Sequence, residues 1–221
     1  MIKTKNLHIL RSAENLFVKR IFGVQREIQK IGEKLHIPDQ IIAQIRLQAS
    51  SNNKIFDMPR VEKRGDSFTI HLPTMFFIET EDFITNPYLS KKLFTTLQNQ
   101  NLSIKEQCYI EVFKEFIVDP SLSRDGKTFT LAHELSHIAL GHLSMNNSKS
   151  RPSKESLQRE KEADLLAAEN VPGAARGGVY LFRILDKHLP KEISSTHPIP
   201  GDRISYLEKV FLRDILVPPL F

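Results

Sequence analysis

The segment Lys127–Leu143, KTFTLAHELSHIALGHL, is the part of this 221-residue sequence that decides how the rest is interpreted. Apolar residues fill most of its positions and no proline interrupts it, so it predicts a helix that is largely buried. It contains the pattern His-Glu-x-x-His at His133, Glu134 and His137. Residues four apart lie on one face of a helix, so both imidazoles can reach one metal ion. Glu134 lies one step around the helix, within reach of a metal-bound water.

A surface helix that happens to carry two histidines is the alternative interpretation. The apolar neighbours argue against it, because buried imidazoles and a buried carboxylate need partners, and a cation can be one. The longer pattern His-Glu-x-x-His-x-x-Gly-x-x-His is absent, since Leu140 and Leu143 occupy the places of its glycine and last histidine. His142 lies five residues after His137, about 140° around an ideal helix, and is not expected to share the ion.

A third ligand is expected from a charged helix further along the chain, because catalytic zinc takes three protein ligands and keeps one position open. A solvated face of alternating charge is the plain alternative for that helix. Glu160 is favoured over Glu155 and Glu162 because it lies 23 residues after His137, enough for an antiparallel return of the chain. Asp164, four residues later on the same face, is placed to accept a hydrogen bond from a ligand histidine.

The remaining sequence predicts helices around one small sheet. Between residues 14 and 36, apolar residues alternate at spacings of four and three, which predicts an amphipathic helix. Packing on its own domain is favoured over a partner-binding or membrane-surface role for this helix. Ser67–Leu72 alternates polar and apolar residues like a half-exposed strand, whereas residues 41–48 are ambiguous between helix and strand.

Further helices are predicted over residues 86–100, 103–117, 127–143, 153–170, 174–188 and 201–216. The expected fold is therefore α+β and mostly α. We expect one domain over residues 1–221, with an amphipathic helix within 1–40, the sheet within 41–80 and a helical zinc-binding core within 127–216.

Composition excludes several classes of protein. Hydrophobic residues make up 40% and charged residues 26%, which rules out wholesale disorder. The single cysteine, Cys108, excludes an intramolecular disulfide and a cysteine-rich zinc module. The net charge of +5 is scattered, so no nucleic-acid partner is expected. No signal peptide or membrane-spanning stretch is evident, which predicts a soluble cytoplasmic protein without membrane insertion, unless an unconventional secretion signal is present. The oligomeric state stays open.

Three motifs resemble those of the gluzincin metallopeptidase family that contains HtpX and the CAAX prenyl endopeptidase. They are His-Glu-x-x-His, then Glu-x-x-Ala-Asp starting at Glu160, then Thr196-His197-Pro198 with Arg203 and Ile204 after it. The resemblance implies a zincin-like domain with a small sheet above its active-site helix. It assigns His133, His137 and Glu160 as the ligands of one zinc ion. It assigns Glu134 as the general base and Asp164 as the partner of a ligand histidine.

The resemblance also places His197 and Arg203 at the cleft. There they would stabilise the oxyanion of the reaction, or His197 would cap the metal; a loop histidine and a surface arginine are the alternative. Ser67–Leu72 would be the rim strand with which an extended peptide pairs. The membrane-spanning segments of the family's membrane members are missing, so a membrane-embedded substrate is not expected.

The function expected from these residues is that of a zinc-dependent endopeptidase. It would hydrolyse peptide bonds of protein or peptide substrates through a zinc-bound water activated by Glu134. Two alternatives stay open: a catalytically silent zincin-fold protein that acts as a chaperone or interaction module, and a soluble regulator-cleaving zinc peptidase. The Thr196-His197-Pro198 segment and Arg203 favour the first-named family over the regulator-cleaving class.

Overall fold

A computed structural model describes residues 20–49, 59–77, 104–144, 154–189 and 198–216. The helices in these ranges are α1 (20–34), α2 (Asp39–Ile42), α3 (Ile104–Phe116), α4 (Pro120–Ala139), α5 (Lys154–Asn170), α6 (Ala174–His188) and α7 (Pro200–Leu216). The strands are β1 (Ile45–Ala49), β2 (Arg60–Arg64) and β3 (Ser67–Leu72), and short 3₁₀ helices lie at Thr74–Phe77 and His142–Ser144. The α+β, mostly α class expected from the sequence is confirmed.

The three strands form one sheet in the order β1-β3-β2. β1 runs parallel to β3, and β2 runs antiparallel to it. β3 lies in the middle because Phe68, Ile70 and Leu72, on one of its faces, are all buried in the core. Because β1 pairs with one edge of β3 and β2 with the other, the expectation that Ser67–Leu72 is a rim strand is wrong. Among the described strands, β2 lies at the edge that contacts α4.

β2 has no counterpart among the strands predicted from the sequence. Its five residues, RVEKR, include one apolar side chain, so the alternation that indicates a half-buried strand is weak. The register pairs Val61 with Ile70 and Glu62 with Thr69. β2 is thus held mainly by its backbone pairing with β3 rather than by burial of its own side chains.

The helices pack around α6, which contacts α3, α4, α5 and α7. α6 lies against α4 and α7, and α5 lies against α4, α6 and α7. On α5 the side chains that face its neighbours are small, with Ala163, Ala167 and Ala168 buried, and small side chains let helix axes approach closely. α1 contributes Ile28 and Ile31 to the same core. The apolar face of α1 therefore packs on its own domain over residues 20–34.

α4 begins earlier and ends earlier than the sequence predicts. Asp119 caps its first turn by accepting hydrogen bonds from the N–H groups of Ser121 and Leu122, at 2.9 and 3.1 Å, and Pro120 occupies the first helical position. The helix ends at Ala139, and Gly141 follows with φ of 67°, a left-handed conformation that glycine adopts without strain. The predicted limits 127–143 are therefore shifted to Pro120–Ala139.

The helices predicted over 103–117, 153–170, 174–188 and 201–216 agree with the structure to within one residue at each end. The helix predicted between residues 14 and 36 ends at residue 34, and its residues 14–19 lie outside the described ones. The helix predicted over 86–100 lies outside the described residues. Residues 41–48 divide between the end of α2 and most of β1, which explains their mixed pattern. Across the described part of the chain, no helix combines the length and apolar character needed to cross a membrane.

Candidate metal centre

His133 and His137 project from one face of α4, one helical turn apart. Their Nε2 atoms lie 3.2 Å from each other, and their ring centroids are 4.7 Å apart with the planes nearly perpendicular. His133 is buried, and the ring of His137 is 12% exposed. The spacing of four residues therefore brings two ring nitrogens to one point, as the sequence predicts.

Glu160, on α5, brings a carboxylate to the same point. Its Oε2 lies 3.4 Å from Nε2 of His133, and its Oε1 lies 3.5 Å from Nε2 of His137. Zinc in a tetrahedral site has bonds of about 2.0–2.2 Å to nitrogen and oxygen, so its ligand atoms stand about 3.3–3.6 Å apart. The two Nε2 atoms lie 3.2 Å apart, and the 3.4 and 3.5 Å separations join each of them to a different oxygen of Glu160, so all of these separations are near the edge length of such a tetrahedron. One ligand atom from each of the three residues lies within 4.8 Å of the other two. Two imidazoles and a carboxylate are also a donor set that suits zinc.

The charges around this point favour a cation. Burial lowers the pKa of His133, but its bonds to the carboxylates of Asp164 and Glu160 outweigh burial and raise the pKa to about 10. Burial and the neighbouring ring of His133 lower the pKa of His137 to about 3. The carboxylates of Asp164 and Glu160 therefore favour one positive charge at the His133 ring. A bound metal ion would supply that charge while leaving both rings neutral.

Asp164 joins the centre to the rest of the helical core. It is completely buried, one turn after Glu160 on α5, and its Oδ1 lies 2.8 Å from Nδ1 of His133. The ring nitrogen opposite the Nε2 that faces His137 and Glu160 is thus next to a carboxylate, the arrangement that fixes the orientation of a metal-binding histidine. Burial by itself raises the pKa of Asp164, but Arg203 and His133 reverse this and hold the pKa well below its ordinary value.

Arg203 and Tyr206, both on α7, hold the other side of Asp164. Arg203 donates from Nε to Oδ2 at 2.7 Å and from Nη2 to Oδ1 at 2.5 Å, and the Tyr206 hydroxyl donates to Oδ2. The Arg203 guanidinium also lies 4.0 Å from the ring centroid of Phe182 and is 5% exposed. The family resemblance implies that Arg203 lies at the cleft, whereas in the structure two of its nitrogens donate to Asp164.

Glu134 lies beside the three candidate ligands without being one of them. It is 6% exposed, and the backbone N–H of Val61 in β2 donates to it. Burial raises the pKa of Glu134 to about 7, with Glu160 adding to the effect and His133 and Arg203 opposing it. A carboxyl group with a pKa near neutrality can both accept and return a proton at physiological pH.

Two residues near the centre were not assigned from the sequence. Tyr206 contacts Asp164, and its position three residues after Arg203 on one helix face was a usable signal. His142 lies beside His137, with 2.9 Å between their Nδ1 atoms. Gly141 gave the signal for His142, because a glycine that ends a helix lets the chain fold back. His197 lies outside the described residues, so its assignment stays a prediction.

Comparison with known families gives one match. Residues 94–171 match Peptidase_M78, described as the IrrE N-terminal-like domain, over a little more than a third of the chain. The match supports a zinc-peptidase-like family but not the HtpX and CAAX endopeptidase family specifically. The matched range includes every residue that α4 and α5 contribute to the candidate centre, whereas α7, with Arg203 and Tyr206, lies beyond that range. No curated protein and no solved structure matches the chain.

Proposed function

We propose that this protein is a zinc-dependent endopeptidase in which His133, His137 and Glu160 hold one zinc ion per chain. The observation that carries the proposal is the convergence of the His133 and His137 Nε2 atoms, 3.2 Å apart, on the Glu160 carboxylate, whose two oxygens lie 3.4 and 3.5 Å from them, with the buried carboxyl of Glu134 beside this group. The peptidase family match over the same residues supports it independently. Zinc, when bound in a site of this kind, lowers the pKa of a water ligand towards about 7 and polarises a carbonyl group.

Glu134 is the proposed general base. It accepts a proton from the attacking water and returns it to the nitrogen of the leaving amine. Its burial and its raised pKa of about 7 suit both steps, because a carboxylate of ordinary pKa is a weaker base and would accept the proton poorly, whereas a carboxyl group with a pKa near 7 can accept the proton and still return it. The hydrogen bond from the Val61 N–H orients the carboxyl group from the side of β2.

β2 is the proposed docking strand for an extended peptide. It is an edge strand in the described sheet, and the Val61 N–H that reaches Glu134 shows which way this edge of the backbone faces. A peptide that adds to this edge would bring a main-chain carbonyl close to the proposed base. Protein and peptide substrates are therefore expected, through main-chain recognition rather than through a pocket for one side chain.

Asp164 and Arg203 are proposed to act through His133. Asp164 orients the His133 ring, and Arg203 holds Asp164 in its ionised form. Contacts to the developing oxyanion are proposed to come from His197, for which the family resemblance implies a position at the cleft.

The proposal is tested by comparing the wild type with Glu134→Gln, which keeps the size of the side chain and removes the base. Both proteins should bind one zinc per chain, and the variant should hydrolyse an unfolded casein-type substrate about 10²–10⁴ times more slowly. Glu208→Gln is the matched control, because Glu208 pairs with Arg183 at the surface. Wild-type turnover in Glu134→Gln would remove Glu134 from the mechanism, and a wild type that binds zinc without hydrolysis would favour the silent zincin-fold alternative.

The family match favours the regulator-cleaving class as a second candidate, since Peptidase_M78 includes regulator-cleaving proteins. The two candidates differ in their products. Mass spectrometry of a digest would give many fragments from an unfolded protein if the enzyme is a general endopeptidase. A regulator-cleaving enzyme would instead leave casein nearly intact and cut one folded partner at a single position.

A further inference from the structure

His142 folds back onto the candidate metal centre from just beyond the end of α4. Gly141, with its φ of 67°, reverses the chain, and the ring of His142 returns to that of His137 with 5.1 Å between centroids. The Nδ1 atoms of the two rings lie 2.9 Å apart, and the side chain of His142 is 10% exposed. A continuous helix would carry His142 away from this position, so its approach depends on the turn at Gly141.

The contact between two ring nitrogens allows one direction of hydrogen bonding if Nε2 of His137 binds a metal. That Nε2 must then offer its lone pair, so the proton of the neutral His137 ring is on Nδ1. Nδ1 of His142 must accept this proton's hydrogen bond, which puts the proton of the His142 ring on its Nε2. This Nε2 faces a carboxylate, the Oε2 of Glu162, at 3.4 Å. Each ring N–H in the series from His137 through His142 to Glu162 therefore faces an acceptor.

We infer that His142, oriented by Glu162, is a positioning residue that fixes the ring of His137 for metal binding. The inference rests on the proposed function, since it assigns His137 to the metal. It gives each candidate histidine ligand its own support: His133 meets the buried carboxylate of Asp164, and His137 meets the neutral ring of His142. Partners of this kind typically change metal affinity by 10–100-fold when they are removed.

The test compares His142→Leu with His142→Asn in the full chain. Leucine fills similar space without an acceptor, whereas the side-chain oxygen of asparagine can accept the His137 N–H from nearly the same place as Nδ1. Zinc affinity is measured by competition with a chromophoric chelator. We expect His142→Leu to bind zinc about 10–100 times more weakly than the wild type and His142→Asn to stay close to it. His188→Leu, which removes a ring that contacts Glu115, is the histidine control and should bind zinc normally.

A second readout reports the hydrogen bond itself. In zinc-loaded protein with ¹⁵N-labelled histidine, the Nδ1 proton of His137 should exchange slowly in the wild type and His142→Asn, and rapidly in His142→Leu. Equal zinc affinity in the wild type and His142→Leu would overturn the inference, and so would equal weakening in both variants with circular dichroism unchanged.

The readouts separate this inference from the proposed function. A wild type that takes up no zinc would contradict the metal site altogether. Normal zinc binding with no hydrolysis would contradict the proposed peptidase activity and leave the role of His142 intact. Normal hydrolysis with zinc affinity unaffected by His142→Leu would contradict the role of His142 alone.

Discussion

Asp164 is the residue on which the candidate centre and the helical core both depend. Its carboxylate is completely buried and faces His133 on α4 and both Arg203 and Tyr206 on α7, two helices other than its own α5. A buried charge is tolerated only when its partners compensate for the loss of water. The stability of the fold and the orientation of one ligand histidine are therefore linked through a single side chain.

Replacing Arg203 with methionine should destabilise the protein strongly. The variant keeps most of the side chain's volume but leaves the Asp164 carboxylate with much less compensation, and breaking a buried ion pair from one side costs about 3–5 kcal/mol. Urea unfolding would measure the loss. Arg183→Met is the control, since Arg183 is 64% exposed and its pair with Glu208 should contribute less than about 1 kcal/mol. Equal effects of the two substitutions would contradict the role given to Arg203.

Tyr206→Phe should produce a smaller loss of stability, because it also removes a partner of the buried Asp164 carboxylate. The change removes only the hydroxyl that donates to Asp164, and a hydrogen bond to a charged group contributes about 1.5–3 kcal/mol. We expect a loss near the lower value because Arg203 still donates twice to the carboxylate. A variant as stable as the wild type in urea unfolding would show that the hydroxyl contributes nothing to the buried network.

At the scale of elements, α4 is held in place by a close approach to α6. A Cβ atom added at Gly177 would lie 2.0 Å from the backbone oxygen of Asp125 on α4, far inside van der Waals contact. The two helix backbones touch at this point, so neither can yield by rotating a side chain. The position of His133 and His137 relative to the rest of the core depends on this contact, because both lie on the same helix as Asp125.

Gly177→Ala should therefore destabilise the protein by about 3 kcal/mol, the upper part of the range for overpacked cores. Alanine is the better helix former, so intrinsic propensity acts in the opposite direction. Gly23→Ala in α1 is the matched control, since nothing lies within 4 Å of a Cβ atom there and a gain of up to about 1 kcal/mol is expected. Chemical denaturation of both variants would separate the effect of steric crowding at the helix contact from that of helix propensity. Similar changes in stability for the two variants would exclude a tight α4–α6 contact.

The elements differ in how well the sequence predicted them. α3, α5, α6 and α7 follow from their apolar spacing because each is a long helix with one buried face. The start of α4 was missed because Ser123, Asp125 and Gly126 resemble a loop, although Asp119 and Pro120 form a recognisable helix start. β2 was missed because its place depends on pairing with β3, which no local pattern encodes.

The candidate ligands could be predicted because their spacing on helices fixes which side chains share a face. The partners of those ligands could not, since Arg203 reaches Asp164 across 39 residues of chain and His142 reaches His137 only because the helix ends. His71 in β3 is likewise only 7% exposed, with Glu62 from β2 3.4 Å from its ring nitrogen. Contacts of this kind are set by tertiary packing.

At the scale of the whole molecule, zinc would connect α4 to α5 at the centre of the helical core. His133 and His137 come from α4 and Glu160 from α5, so an ion bound by all three favours the folded state, in which they meet. A ligand that binds only the folded state adds about 2.7 kcal/mol of stability when its free concentration is 100 times its dissociation constant. Removal of zinc with a chelator should therefore lower the melting temperature, and added zinc should restore it.

His137→Ala should abolish this response, because loss of one of three ligands prevents tight binding. Its melting temperature should match that of the chelator-treated wild type more closely than that of the zinc-loaded protein, and it should not change with added zinc. Magnesium serves as the ion control, since it prefers oxygen ligands in an octahedral arrangement and should not replace zinc here. Differential scanning calorimetry of the wild type and His137→Ala with each ion would measure all of these shifts. A wild type whose melting temperature is the same with zinc, magnesium or chelator would show that the three side chains meet without binding a metal.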